Sequence, residues 1–150
     1  MRVNLTPKVA GIIVAAMQPS RILETCLCVT DLEAAEAFYT GLLGLTPFAK
    51  APGRHVFFRL GDGMFLLFDA RETAKPSLAG IPTHGTTGPG HVAFAIPETD
   101  LEHWRQRLAG QSVALESDYT WPGGGRSLYF RDPSGNSVEL TTPKTWGLSA

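Results

Sequence analysis

One order of signals runs through this chain twice, and that repetition restricts its fold more than any other feature. From Arg21 an apolar, β-branched stretch, Ile22 to Val29, ends at Thr30-Asp31, either of which caps a helix well. Leu32, Ala35, Phe38, Tyr39 and Leu42 then recur at helical spacing until Gly44 stops the run. Strands are expected around Leu45 to Ala51, over Arg54 to Leu60 and over Met64 to Asp69, the last two joined by Gly61-Asp62-Gly63. The order then returns. His91 to Ile96 reads as a strand, and Thr99 or Asp100 caps a helix that runs to Leu108 and is closed by Gly110. Ser112 to Glu116 reads as a short strand, and Ser127 to Arg131 with Ser137 to Thr142 as a hairpin across Asp132-Pro133-Ser134-Gly135-Asn136. Short stretches repeat too: Phe57-Phe58-Arg59 matches Tyr129-Phe130-Arg131, and Asp31-Leu32-Glu33 returns as Asp100-Leu101-Glu102.

A period of about 70 residues that occurs twice is too long for a solenoid and fits a duplicated βαβββ unit. The expected class is α+β: two βαβββ repeats forming a curved mixed sheet around a central cavity, with helices covering the other face. The expected division is an N-terminal arm over 1–20, a first module over 21–69, a linker over 70–89, a second module over 90–143 and a tail over 144–150. Pro76, Pro82 and Pro89 with the glycines between them mark the linker as irregular.

Composition excludes several functions. Hydrophobic residues make up 43% and charged residues 18%, enough for a real core. Thirteen Lys and Arg against fourteen Asp and Glu give a net charge of −1 with no basic stripe, against nucleic-acid binding. Cys26 and Cys28, two apart on a strand, are poorly placed to bridge each other, which suits a reducing, cytoplasmic setting. The apolar run 9–17 is far short of the about 20 residues a membrane span needs. It reads as an arm or helix packing on a neighbour, since the cleavage pattern of a signal peptide is poor.

Period-two alternation sorts each strand into faces. Leu23, Thr25, Leu27 and Val29 point one way and Ile22, Glu24, Cys26 and Cys28 the other. Val92, Phe94 and Ile96 read as core, sending His91, Ala93 and Ala95 to the cavity. Val138 and Leu140 read as core, sending Ser137, Glu139 and Thr141 inward. Glu24, His91 and Glu139 therefore share a face, and Glu24 and His91 hold equivalent places in the two repeats. A glutamate on a strand is as a rule a solvated edge charge, and a lone histidine a hydrogen-bonded structural one. Carboxylates in a half-apolar cavity, however, are costly unless paired, protonated or coordinated. One imidazole and two carboxylates suit Mn, Fe, Co, Ni or Zn as divalent ions, and three protein ligands leave positions open for substrate.

Three blocks carry a resemblance: Leu23-Glu24-Thr25-Cys26-Leu27-Cys28-Val29-Thr30-Asp31-Leu32 with Phe38-Tyr39 and Leu42-Leu43-Gly44-Leu45; Gly90-His91-Val92-Ala93-Phe94; and Tyr129-Phe130-Arg131-Asp132-Pro133-Ser134-Gly135-Asn136-Ser137-Val138-Glu139-Leu140. In this order they resemble the vicinal oxygen chelate superfamily of glyoxalase I, fosfomycin- and bleomycin-resistance proteins, methylmalonyl-CoA epimerase and extradiol dioxygenases. The resemblance implies metal positions at Glu24, His91 and Glu139. Two departures stand out. The first-strand ligand is Glu where most metal-dependent relatives carry His or Gln, and the extra ligand of glyoxalase I would fall near Leu66. The family implies a metal-dependent enzyme on a small oxygen-rich substrate, by glyoxalase-like lyase or isomerase chemistry or extradiol-type oxygenation, and a homodimer. A metal-free protein that sequesters its ligand, of the bleomycin-resistance type, is the alternative.

Other residues are weighed on the same terms. Glu24, departing from the usual ligand, is the candidate base, and Tyr129 a candidate to hydrogen-bond substrate, as its place before Asp132-Pro133 resembles a tyrosine of fosfomycin-resistance proteins. His55 alternates with Phe57 and Arg59, which places His55 and Arg59 as candidate substrate contacts. Arginines at hairpin ends, Arg126 and Arg131 included, are more often surface charges. Trp121-Pro122-Gly123-Gly124-Gly125 leads into a strand, so it reads as a flap that puts Trp121 against the cavity and not as a phosphate cradle.

Overall fold

The computed structural model describes residues 18–76 and 79–149; the apolar run 9–17 and nearly all of the expected arm lie outside them. The first half runs β1 (Glu24–Val29), α1 (Leu32–Leu43), β2 (Pro47–Ala51), β3 (His55–Leu60) and β4 (Gly63–Asp69). The one-turn helix α2 (Ala70–Thr73) follows, inside the stretch read as irregular. The second half runs β5 (His91–Ala95), α3 (Leu101–Gly110), β6 (Ser117–Thr120), β7 (Arg126–Arg131) and β8 (Ser137–Thr141).

Helix α1 forms as its sequence dictates. Asp31 Oδ1 accepts from the Ala34 amide at 3.0 Å, and Gly44, at φ +71°, closes the end with its amide on the Thr40 carbonyl. It buries Ala35, Tyr39 and Leu42, one stripe at helical spacing. Helix α3 begins differently from expectation: a 3-10 turn over Glu98–Asp100 leads into it, and Asp100 makes no side-chain cap bond.

The sheet is divided in two, ordered β1-β4-β3-β2 and β5-β8-β7-β6, each with one parallel and two antiparallel pairings. One core serves both: Tyr39, Phe58 and Phe65 of the first half pack in a single cluster with Phe94, Leu128 and Phe130 of the second. Edge strands β1 and β5 approach without a ladder. Asn136 bridges them, accepting from the Gly90 amide at 2.6 Å and donating to the Cys28 carbonyl at 3.1 Å. Beside it, Asp132 Oδ2 accepts from the Tyr39 hydroxyl at 3.0 Å, so the turn after β7 is tied into α1. Burial, and then Asp132 itself, push the Tyr39 phenol well above its ordinary range, keeping it a donor.

The expected strand over Ser112 to Glu116 does not form; β6 begins at Ser117. Ser112 takes φ +55°, and the Val113 amide returns to the Leu108 carbonyl at 2.9 Å, tucking Val113 against the core. Val113 packs as a helix exit while Leu115 stays exposed, and the exposed Ser117–Thr120 makes the edge ladder with β7. Among the described residues no helix is long and apolar enough to cross a membrane.

Candidate functional site

The second sheet brings four polar side chains of β7 and β8 together with His91 of β5. Val92 and Phe94 are buried in the core while His91, Ala93 and Ala95 face outward, as alternation predicts. On β8, Val138 and Leu140 take the core, and Glu139 takes the opposite face, where it is nonetheless buried. Such a carboxylate must be held. Glu139 Oε1 accepts from Ser127 Oγ at 2.5 Å, and Oε2 stands 3.2 Å from His91 Nε2. Ser127 in turn lies 2.8 Å from Thr141 Oγ1 and accepts from Trp121 Nε1 at 2.8 Å. Tyr129 is the register partner of Glu139, and its ring stacks loosely on that of His91, centroids 6.4 Å apart. Burial, and then the Glu139 carboxylate beside it, raise the Tyr129 phenol, so it remains an O–H donor at neutral pH.

The histidine geometry defines what the pair lacks. His91 Nδ1 lies 3.1 Å from the Ser137 carbonyl, which can only accept, so Nδ1 carries the hydrogen. In the neutral ring Nε2 then presents a lone pair to another acceptor, Glu139 Oε2. Either a proton or a cation must lie between them. The spacing suits a shared proton and a cation alike: two ligands about 2.1 Å from one ion stand about 3.0 to 3.4 Å apart in octahedral or tetrahedral arrangement. With the Ser137 carbonyl orienting the imidazole and Ser127 the carboxylate, both groups have the outer support that metal-holding side chains use. The donor set fits a divalent ion.

Glu24 is not gathered with them. It lies exposed at the start of β1, and its carboxylate has no hydrogen-bond partner among the described residues. Within one chain no three His, Cys, Asp or Glu side chains converge on a metal-holding centre among those residues. Alternation assigned the face correctly but carries no distance between two separate sheets. His55 and Arg59 also stand apart. His55 stacks on Phe57, and the Arg59 guanidinium lies 4.5 Å from the centre of the Phe48 ring. Trp121 is brought to the pair through Ser127. The segment read as a flap closes as a tight turn, Gly124 amide to Trp121 carbonyl and Trp121 amide to Gly125 carbonyl, each at 2.8 Å. Arg126 and Arg131 are partnered by Asp118 and Glu116, as surface charges are. Trp146 is exposed on the 3-10 turn after β8. Sequence reasoning gave Ser127 no role; the signal was its shared parity with Tyr129 and its position across the hairpin from Thr141.

A sequence profile of the glyoxalase/bleomycin resistance protein/dioxygenase superfamily matches residues 21–140. Glutathione transferase FosA of Serratia marcescens is 32% identical over 116 residues, 76% of this chain and 74% of that protein. Metallothiol transferase FosB of Bacillus licheniformis is 30% identical over 115 residues, 76% of this chain and 70% of that one. Among solved structures, lactoylglutathione lyase from Agrobacterium tumefaciens matches with a TM-score of 0.85 at 42% identity, covering 88% of this chain and 100% of that one.

Proposed function

Because the chain belongs to the glyoxalase/bleomycin resistance protein/dioxygenase superfamily, we propose that it is a metal-dependent enzyme acting on a small oxygen-rich substrate with a thiol or thiol adduct as reactant. The observation that carries this reading is the His91–Glu139 pair, an imidazole nitrogen and a carboxylate oxygen 3.2 Å apart and each held from behind. The thiol follows from the relatives, two of which are transferases named for glutathione or a metallothiol and one a lyase named for lactoylglutathione.

His91 and Glu139 are two of the proposed ligands, and Glu24 of the partner subunit is the third. A homodimer reconciles the shared parity of these residues with the isolation of Glu24 in one chain. When bound, a divalent ion, whether Fe, Mn, Ni, Co or Zn, supplies Lewis-acid polarisation of adjacent substrate oxygens. The protein supplies the rest. Tyr129 donates its phenol hydrogen to a substrate oxygen, and Trp121, pinned by Ser127, walls the site against water. Glu24, with no hydrogen-bond partner among the described residues, is also the proposed base for a substrate or thiol proton. Arg59 is kept as a contact for an anionic substrate group. His55, on the same face of β3 as Arg59, is kept as a further substrate contact.

Metal analysis of untagged protein tests the reading. About one equivalent of a transition ion per chain is expected, lost in both His91→Ala and Glu139→Ala. Protein that purifies without metal, takes none up and still binds small ligands is a sequestering protein instead.

A further inference from the structure

The glycine-rich stretch Trp121-Pro122-Gly123-Gly124-Gly125 ends on a residue that has no room for a side chain. Gly125 is buried against the 3-10 turn Pro143–Trp146, and a Cβ added to it would fall inside the van der Waals radii of Thr145 N and Oγ1. The two turns meet through that missing side chain. Their approach sets the Thr145 hydroxyl at the end of a row. Its Oγ1 lies 2.9 Å from Thr141 Oγ1, which lies 2.8 Å from Ser127 Oγ, and Ser127 reaches Glu139 Oε1 at 2.5 Å.

A row of hydroxyls can point its hydrogens either way, but here the neighbours remove the choice. An ionised Glu139 only accepts, and the Trp121 indole N–H only donates. Ser127 therefore gives its one hydrogen to Glu139 and receives from Trp121 and Thr141. Thr141 has then given its own hydrogen to Ser127; the Arg126 carbonyl, at 3.4 Å, is the longer and weaker alternative. What Thr141 accepts in return is the hydrogen of Thr145. All three hydroxyls thus point toward one carboxylate. Bonds aligned head to tail polarise one another, and more so where water is excluded. Ser127, Thr141 and Glu139 are buried, and only Thr145, half-buried, comes near the surface.

We propose that Thr145 is a positioning residue for Glu139, the outermost of three hydroxyls that hold its carboxylate and the Trp121 ring in one arrangement. It acts through Thr141 and Ser127. Without its hydrogen, Thr141 is free to turn to the Arg126 carbonyl, and Ser127 loses a donor that fixes it. That Glu139 then holds a metal less tightly rests on the function proposed above; the row itself does not.

Two readouts keep these apart. In the metal-free protein the NMR signal of the Trp121 indole N–H reports on Ser127, and zinc taken up in competition with an indicator dye reports on Glu139. Thr145→Val keeps the shape and removes the hydroxyl, whereas Thr145→Ser keeps the hydroxyl. Thr145→Val is expected to move the indole signal and to weaken zinc binding about threefold or more. Thr145→Ser should match the parent in both. Thr141→Val should do at least as much as Thr145→Val, and combining the two should change nothing further, because the row is already cut. The proposal is overturned if Thr145→Val leaves either readout of a zinc-binding parent unchanged, if Thr145→Ser departs from the parent as far as Thr145→Val does, or if the effects at 141 and 145 add. If Thr141→Val misfolds, the contrast between Thr145→Val and Thr145→Ser still decides. If the parent takes up no zinc, the metal reading falls, and the indole signal alone decides whether Thr145 governs the row.

Discussion

At the scale of single residues, Ser127 has more depending on it than its size suggests. Its hydroxyl contacts Glu139, Thr141 and Trp121 together, the first two on a face that period-two alternation sorts correctly. Replacing it with alanine leaves a buried carboxylate oxygen and an indole N–H short of a partner, a cost of about 1–3 kcal/mol. Since the hydroxyl also orients Glu139, Ser127→Ala is expected to lower metal affinity about tenfold or more while the fold survives. Competition with a metal indicator dye, read beside a denaturant melt, checks both. Unchanged affinity would mean that Glu139 needs no support from behind. The hydroxyl of Tyr39 was the least legible group: apolar spacing made Tyr39 a core residue, which it is, but no local pattern could reveal a hydrogen bond to a partner 93 residues away.

At the scale of elements, strands and helices followed from alternation and caps wherever a segment buried one face. They were misplaced where it did not. Val113 and Leu115 drew the strand assignment too early, while β6 lies on polar residues at a sheet edge. Beyond its ladder with β7, β6 is tied down by charge. Asp118 accepts from Arg105 Nε at 2.6 Å and from Arg126 Nη2 at 3.0 Å, tying α3, β6 and β7 together. The bond from Arg105, followed by that from Arg126, keeps this carboxyl below the ordinary range. A carboxyl that titrates lower folded than unfolded stabilises the fold above its unfolded pKa, and that contribution is lost as pH falls through the folded value. The parent protein should therefore lose stability more steeply on acidification below about pH 5 than Asp118→Asn. The cluster is partly exposed, so the difference should be on the order of 1 kcal/mol or less. Urea melts across that range measure it, and parallel curves for the two proteins would remove Asp118 as an acid-sensitive tie.

At the scale of the whole molecule, the duplication was readable because both copies keep the same order of elements. The division of the sheet was not, because whether two edges join depends on ladder partners and not on the residues of either edge. The same gap hid the isolation of Glu24. A shared site makes a sharp prediction. Glu24→Ala and His91→Ala each remove a ligand from every site of a homodimer, so both should purify depleted of metal. Unfolded together and refolded as a mixture, they form hybrids in which one site loses both ligands and the other keeps all three. Metal content and activity should then recover to about a quarter of the parent level for random pairing, since half the dimers are hybrids with one intact site of two. Light scattering should give twice the 16.2 kDa of one chain. No recovery in the mixture, with dimers present, would put all the ligands in one chain.

The tie between Tyr39 and the turn at Asp132 also bears on how the chain is made. While a ribosome delivers the polypeptide from its amino end, α1 emerges with a phenol whose acceptor has yet to be synthesised, and β1 with an edge that waits for Asn136. The nascent first half therefore lacks part of its own interior until the stretch from Asp132 to Asn136 has been made. Maturation should come as one event once that stretch has emerged, and a message truncated before position 132 should yield a product that proteases clear.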